Sequence, residues 1–274
     1  MTFKEKQQRM GEQRGVLNEI TVYVLACLVF SNMCWYLGYS NPNADSAAIF
    51  IIAASYLPMF LALVVTQITK EGWNNLGVAF HIKESWEIYV LSVLATLVIM
   101  YSAYPFMPFI FGKKVSVIFS LKTAGEICLM TVLGILCLIE CLGEELGWIG
   151  YLFPKLEKIA GTVVACIVLG IVRGIYHIGI LIFMEYPVQG FIEITVSNIC
   201  LSFLMIYMFK KSKSIFPCSI HHGIANLLPV FLKYDNSWYY TSVLPMVVCI
   251  IPAALFGGYG FWQMKRQKMI CNVR

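Results

Sequence analysis

The sequence predicts an all-α membrane protein, a polytopic bundle of about eight transmembrane helices. Three observations lead there. Hydrophobic residues make up 59 % of the 274 and charged residues only 13 %, where a soluble domain carries about 45–50 % apolar and about 25 % charged residues. The mean hydropathy is +0.75. Apolar stretches of about 20 residues, the length that crosses a hydrocarbon core, recur along the chain. So few charges cannot cover a water-facing surface. The same composition excludes a disordered chain, a collagen-like repeat and a small secreted disulfide scaffold.

The expected spans are 17–39, 48–68, 87–110, 124–147, 160–183, 189–209, 215–232 and 241–262. The first is too long for a signal-peptide core and lacks a small-residue cleavage site, so it reads as an anchor that stays. No repeat divides the chain, and residues 1–274 read as a single membrane domain with basic tails at 1–16 and 263–274. With the N-terminus in the cytoplasm, the inner side holds 15 of the 20 Lys and Arg. These are Lys4, Lys6, Arg9, Arg14, Lys70, Lys83, Lys155, Lys158, Lys210, Lys211, Lys213, Lys265, Arg266, Lys268 and Arg274. Lys113, Lys114, Lys122 and Lys233 fall outside, and Arg173 lies within a span. This bias obeys the positive-inside rule with both termini cytoplasmic, and the Lys113–Lys122 cluster runs against it. The net charge of +5 sits at the two ends, which reads as membrane topology and not as nucleic-acid binding.

The ten cysteines lie mostly within apolar runs, and none forms a Cys-x-x-Cys pair. They read as small buried hydrophobes, not as a disulfide framework or a zinc knuckle. Residues Cys271 to Arg274 have the outline of a prenylation box, but neither Asn272 nor Arg274 suits it, so chance is the preferred reading.

Charges inside spans are costly and point to function. Here they fall in three places. Glu140, Glu144 and Glu145 end the fourth span. Glu140 and Glu144 are four apart and share a helix face, while Glu145 is turned about 100° away. Two adjacent carboxylates in a low dielectric resist being charged together, and a carboxyl that keeps a proton near neutral pH is what a general acid or base requires. The bland reading is a solvated helix end. Arg173 and His177 share one face of the fifth span, and a buried guanidinium must find an anion, for which the glutamates are the nearest source. His222 and Asn226 share a face of the seventh span. His221 points elsewhere and reads as a structural contact. Two carboxylates, two imidazoles and an amide from three helices are group types that activate water and hold an oxyanion. No serine-nucleophile motif, phosphate loop, dinucleotide fingerprint or His-Glu-x-x-His helix competes with them.

The chain also resembles the CPBP intramembrane proteases, the family of the Rce-type CAAX prenyl endopeptidases and the bacterial Abi and bacteriocin self-immunity proteins. Its Glu-Glu-x-x-x-Arg motif, continued as Gly-Tyr-Leu and a Pro, is matched from Glu144 through Gly150-Tyr151-Leu152 to Pro154. Its Phe-x-x-x-His motif is matched by Arg173 through His177, and its His-x-x-x-Asn motif by His222 through Asn226. The resemblance covers about 125–230. It implies that Glu144 activates water with help from His177, that His222 and Asn226 polarise the scissile carbonyl, and that Glu145 orients or tunes Glu144. Two positions depart from the pattern: Ile149 stands where the family has Arg, and Arg173 where it has Phe. Arg173 is therefore expected to replace the missing guanidinium and pair with Glu145 or Glu144, with Glu140 in support.

One difficulty is geometric. A turn at Pro154–Lys158 would offset Glu144 and His177 by about 13 Å at 1.5 Å per residue. Either residues 155–165 lie along the interface, with Leu156, Ile159 and Val163 against Glu157 and Lys158, or the helix carrying the glutamates extends further. Pro187-Val188-Gln189-Gly190 reads as a turn that could open a route to the site.

The expected function is an intramembrane endopeptidase acting on a membrane-associated peptide of CAAX or leader type, in a multi-pass membrane protein of a bacterial cytoplasmic membrane. A second reading is a silent immunity or regulatory protein that binds a peptide or partner in the same cavity. A proton-coupled transporter ranks last, because the buried charges occupy only the second half. No cofactor is required, although Glu144, His177 and His222 are residue types that also hold zinc.

Overall fold

The computed structural model describes residues 3–41, 43–102, 116–117, 124–183, 185, 187–233 and 244–272. The chain is helical throughout its long elements. They are α1 Phe3–Tyr39, α2 Ala44–Thr69, α3 Ile82–Ser102, α4 Ala124–Glu145, α5 Phe153–Tyr176, α6 Ile178–Phe183, α7 Val188–Ser212, α8 Phe216–Phe231 and α9 Leu244–Arg266. A 3-10 turn, Trp73–Leu76, follows α2, and a π-helical segment, Leu146–Leu152, joins α4 to α5. Two short strands, β1 Ser116–Val117 and β2 Leu232–Lys233, pair antiparallel.

The protein is a multi-pass membrane bundle. Among the described residues five stretches are long and apolar enough to cross a membrane: Met10–Tyr39, Ile49–Thr69, Thr131–Phe183, Val188–Ser212 and Met246–Arg266. The expected count of eight is not reached by this measure. The fourth and fifth expected spans lie together in the 53-residue stretch. Helix α8 has 16 residues, about 24 Å at 1.5 Å per residue, which is short of a core of about 30 Å. The third expected span runs on from α3 into residues outside the described ones, as does the Lys113–Lys122 cluster.

Gly161 decides the shape of the 53-residue stretch. Its backbone lies at φ 78°, ψ 165°, a conformation that costs an L side chain but not glycine, and it breaks the helix between Ala160 and Thr162. The hydrogen bonds between Arg173 and Glu145 require the chain to reverse there. A straight helix would hold those residues about 42 Å apart. The reversal therefore falls at Gly161 and not at Pro154–Lys158. Pro154 sits in the first turn of α5, where its missing N–H costs no helical bond. Glu144 and His177 are then almost equally far from the turn, each about 25 Å at helical rise, and the expected 13 Å offset vanishes. Residues 153–160 continue the helix instead of lying along an interface, and Leu156 is buried. The 187–190 segment opens nothing either, because Val188 starts α7 and Gly190 is buried within it.

Helices α5 and α7 approach closely. A Cβ on Gly170 would stand 2.3 Å from the Ile199 Cα, and one on Gly174 would stand 2.5 Å from the Thr195 hydroxyl. This small-xxx-small seam is a usual way for helices to pack in lipid.

The residues at one end of the bundle are tied together. Lys155 bonds Glu19 and Glu71, the Ile215 N–H donates to the Gly77 carbonyl, and Lys210 bonds Glu157 and the Met269 carbonyl. The last described residues are no free tail. Thr162 N–H donates to the Cys271 carbonyl, and Cys271 N–H donates to the Thr162 hydroxyl. All ten cysteines are free thiols.

Candidate active site

Glu144 and Glu145 end α4, directly before the π-helical segment. All seven residues of that segment are buried, and the Phe153 N–H reaches back five residues to the Trp148 carbonyl. Such wide turns occur mostly at functional sites. The segment packs without room to spare: a Cβ on Gly147 would stand 2.5 Å from the Pro58 Cβ, and one on Gly150 would stand 2.5 Å from the Leu76 carbonyl oxygen. The glutamates are thereby pressed against α2.

Glu145 is fully buried and fully engaged. Its Oε1 and Oε2 accept from the two terminal nitrogens of Arg173 at 2.8 Å each, and Oε1 also accepts from His222 Nδ1 at 2.8 Å. The planar guanidinium fork matches a carboxylate in a way that a lysine cannot. This is the pairing expected for the departing motifs, with α5 supplying the cation that the π-helical segment lacks at Ile149. Ile149 itself is buried in the apolar core. Arg173 Nη1 also touches the Met205 sulfur at 3.7 Å, while its Nε has no partner among the described residues.

Glu144 is its opposite. It is 5 % exposed, and its Oε2 has no hydrogen-bond partner among the described residues. The neighbouring Trp148 Nε1 is likewise buried and unpartnered. Glu140, one turn before Glu144, accepts a 2.7 Å bond from the Ser55 hydroxyl.

The histidines separate as their spacing requires. His222 faces Glu145, whereas His221 is buried toward α3, its Nδ1 2.6 Å from the Thr96 hydroxyl. His177 directs Nδ1 to the Arg173 carbonyl at 2.6 Å, which leaves Nε2 for another partner. Asn226, the most open of the group, has its amide nitrogen 3.5 Å from the Cys141 sulfur. Glu145, Arg173 and His222 thus form one bonded cluster, with Glu144 beside it. His177 is tied to the cluster through the Arg173 backbone carbonyl, and Asn226 and Glu140 are held by other neighbours.

Residues that the sequence reading passed over hold this arrangement in place. Pro58 interrupts α2 and has no N–H to give the Ala54 carbonyl. That carbonyl instead accepts from the Tyr176 hydroxyl at 2.9 Å and the Ser31 hydroxyl at 3.5 Å, and the Pro58 carbonyl accepts from Tyr23 at 2.9 Å. Tyr23 and Tyr176 flank Trp148 with centroid distances of 6.2 and 5.4 Å. The proline within an otherwise apolar span was the available signal: it marks where a helix frees a carbonyl for a neighbour.

Among the described residues no group of three or more His, Cys, Asp or Glu side chains is arranged to hold a metal. No curated protein matches the chain. Residues 126–228 match the family model described as type II CAAX prenyl endopeptidase Rce1-like, nearly the segment in which the three motifs lie. That segment of the chain is similar to the Rce1-like type II CAAX prenyl endopeptidases.

Proposed function

We propose that the protein is an intramembrane endopeptidase that hydrolyses a membrane-associated peptide with a water activated by Glu144. The observation that carries this reading is the unequal state of two adjacent glutamates. Glu145 is saturated by Arg173 and His222, while Glu144 Oε2 is buried and has no partner among the described residues. A buried acceptor left open costs stability and is worth keeping where a reacting group will fill it.

In the proposed cycle Glu144 takes a proton from water, the oxygen adds to the scissile carbonyl, and the same carboxyl returns the proton to the departing amide nitrogen. His177 assists that transfer through Nε2. His222 and the Asn226 amide supply donors for the developing oxyanion. Glu145 and Arg173 hold His222 and the helix ends in register. No step is routed through a metal. The reaction runs in the bilayer of a bacterial cytoplasmic membrane, both termini facing the cytoplasm, on CAAX-type or leader-type peptides.

The test is cleavage of prenylated, unprenylated and leader-type peptides by the reconstituted protein, with Glu144→Gln and a chelator as separate arms. Cleavage that is lost in Glu144→Gln and kept in chelator supports the glutamate mechanism. Cleavage lost in chelator argues for a metal. Peptides bound by both proteins and cut by neither would favour a silent binding protein, a reading that the missing motif arginine at Ile149 keeps in view.

A further inference from the structure

A cavity with charged residues in its lining lies at the end of the bundle where α2 stops and α5 begins, apart from the glutamates. It has a volume of about 260 Å³ and is lined by Val16, Thr66, Glu71, Gly72, Leu76, Gly150, Tyr151, Pro154, Lys155 and Lys158. Pockets for drug-sized molecules run to about 300–1,000 Å³, so this one suits a small polar group or the head of an amphiphile.

Its charges are separated. Lys155 is held by two carboxylates, Glu19 at 2.7 Å and Glu71 at 2.6 Å, and Tyr151 donates to Glu19 at 2.6 Å. That group of three carries one surplus negative charge, and Glu71 is its open end, with a side chain 48 % exposed. Lys158 is exposed on the rim and makes no ion pair among the described residues. The cavity is therefore neutral overall, negative at Glu71 and positive at Lys158. Thr66 is 1 % exposed, lines the same space, and its hydroxyl has no partner among the described residues. An open donor between separated charges is complementary to a dipolar ligand that carries oxygens at one end.

The surroundings say where such a ligand comes from. The loop that supplies Gly72 and Leu76 continues through Trp73, Val78, Phe80 and Ile82 to Trp86, all exposed. Aromatic side chains gather at the headgroup level of a bilayer, which puts the cavity at that depth.

We propose that this cavity binds the headgroup of an amino-phospholipid. The phosphate sits against Lys158 and the Thr66 hydroxyl, and the primary ammonium donates to Glu71. A phosphoethanolamine head meets both ends. A choline head has no N–H to donate, and a glycerol head has no cation.

The experiment is native mass spectrometry of the full chain in detergent. Phosphatidylethanolamine, phosphatidylcholine and phosphatidylglycerol of identical acyl chains are titrated separately, with soluble glycerophosphoethanolamine as competitor. The wild type is expected to retain phosphatidylethanolamine best, and the soluble compound to displace it. Lys158→Gln is expected to lower retention about fivefold, the loss of one lysine facing a lipid headgroup. Thr66→Val is expected to lower it as well while leaving the lipid-free Tm unchanged or higher, because the hydroxyl has no bond to lose. That Tm separates loss of the site from loss of the fold. Equal retention of the three lipids, or wild-type retention by both variants, would overturn the proposal. Binding of the soluble compound by a protein without preference for phosphatidylethanolamine would overturn the lipid as its source.

Discussion

Two clusters of three ionisable side chains organise this protein, and they are built in opposite senses. In the middle of the bundle one carboxylate, Glu145, is held by Arg173 and His222, and all three side chains are at most 12 % exposed. At the end of the bundle one cation, Lys155, is held by Glu19 and Glu71, whose side chains are 16 % and 48 % exposed. The first cluster is almost wholly buried, so removing Glu145 or Arg173 strands a charge. The second borders solvent, so water can take over a lost partner. The first also stands beside a carboxyl with an open oxygen, and the second beside an open hydroxyl. Each cluster therefore fixes a frame beside a polar group that has no partner among the described residues.

That contrast ranks the consequences of mutation. Arg173→Ala is expected to be the most damaging, costing about 3–5 kcal/mol by leaving the buried Glu145 without its guanidinium, and the Tm in detergent reads this directly. Arg173→Lys is expected to recover only part, since it lacks the fork. Moving the cation back, with Ile149→Arg and Arg173→Phe together, is expected to restore part of both Tm and cleavage. No recovery at normal expression would show that the two positions are not interchangeable.

Glu144→Gln acts on rate. A cleavage rate lower by about 10²–10⁴-fold is expected, the range for losing a general base, with no fall in Tm. Tyr176→Phe removes the bond to the Ala54 carbonyl, a buried acceptor. A loss of about 1–3 kcal/mol is expected, read as Tm, and cleavage should fall with it because His177 is the next residue. Gly161→Ala forces a side chain into a backbone conformation that glycine alone adopts readily, and about 1–3 kcal/mol is expected from that strain. The smallest effect is expected at the solvent-bordering cluster. Glu71→Gln should cost under about 1 kcal/mol, shrinking further as salt is added.

Much of this was legible in the residues. Composition and apolar run length lead to a helical membrane bundle, because lipid admits few other folds. The spacing of Arg173 and His177 at i and i+4, with the adjacent glutamates, led to the Arg173 ion pair. A buried guanidinium has few places to go. The π-helical segment was not legible, since Leu146–Leu152 has the composition of an ordinary apolar helix. Nor was the turn at Gly161. Pro154 is the stronger breaker by type, but at the first turn of a helix a proline breaks nothing. The sequence does not reveal which of two neighbouring punctuation residues the chain obeys. The roles of Ser31, Tyr23 and Tyr176 depend on which carbonyl Pro58 releases and which helix faces it, and both are tertiary facts.

The central claim is that neighbouring glutamates do different work, and the most direct measurement is the Tm of Glu144→Gln beside that of Glu145→Gln, both in detergent without substrate. The account predicts that Glu145→Gln melts far below wild type, because Arg173 loses its anion, while Glu144→Gln melts at or above it. Equal losses, or a larger loss from Glu144→Gln, would contradict it.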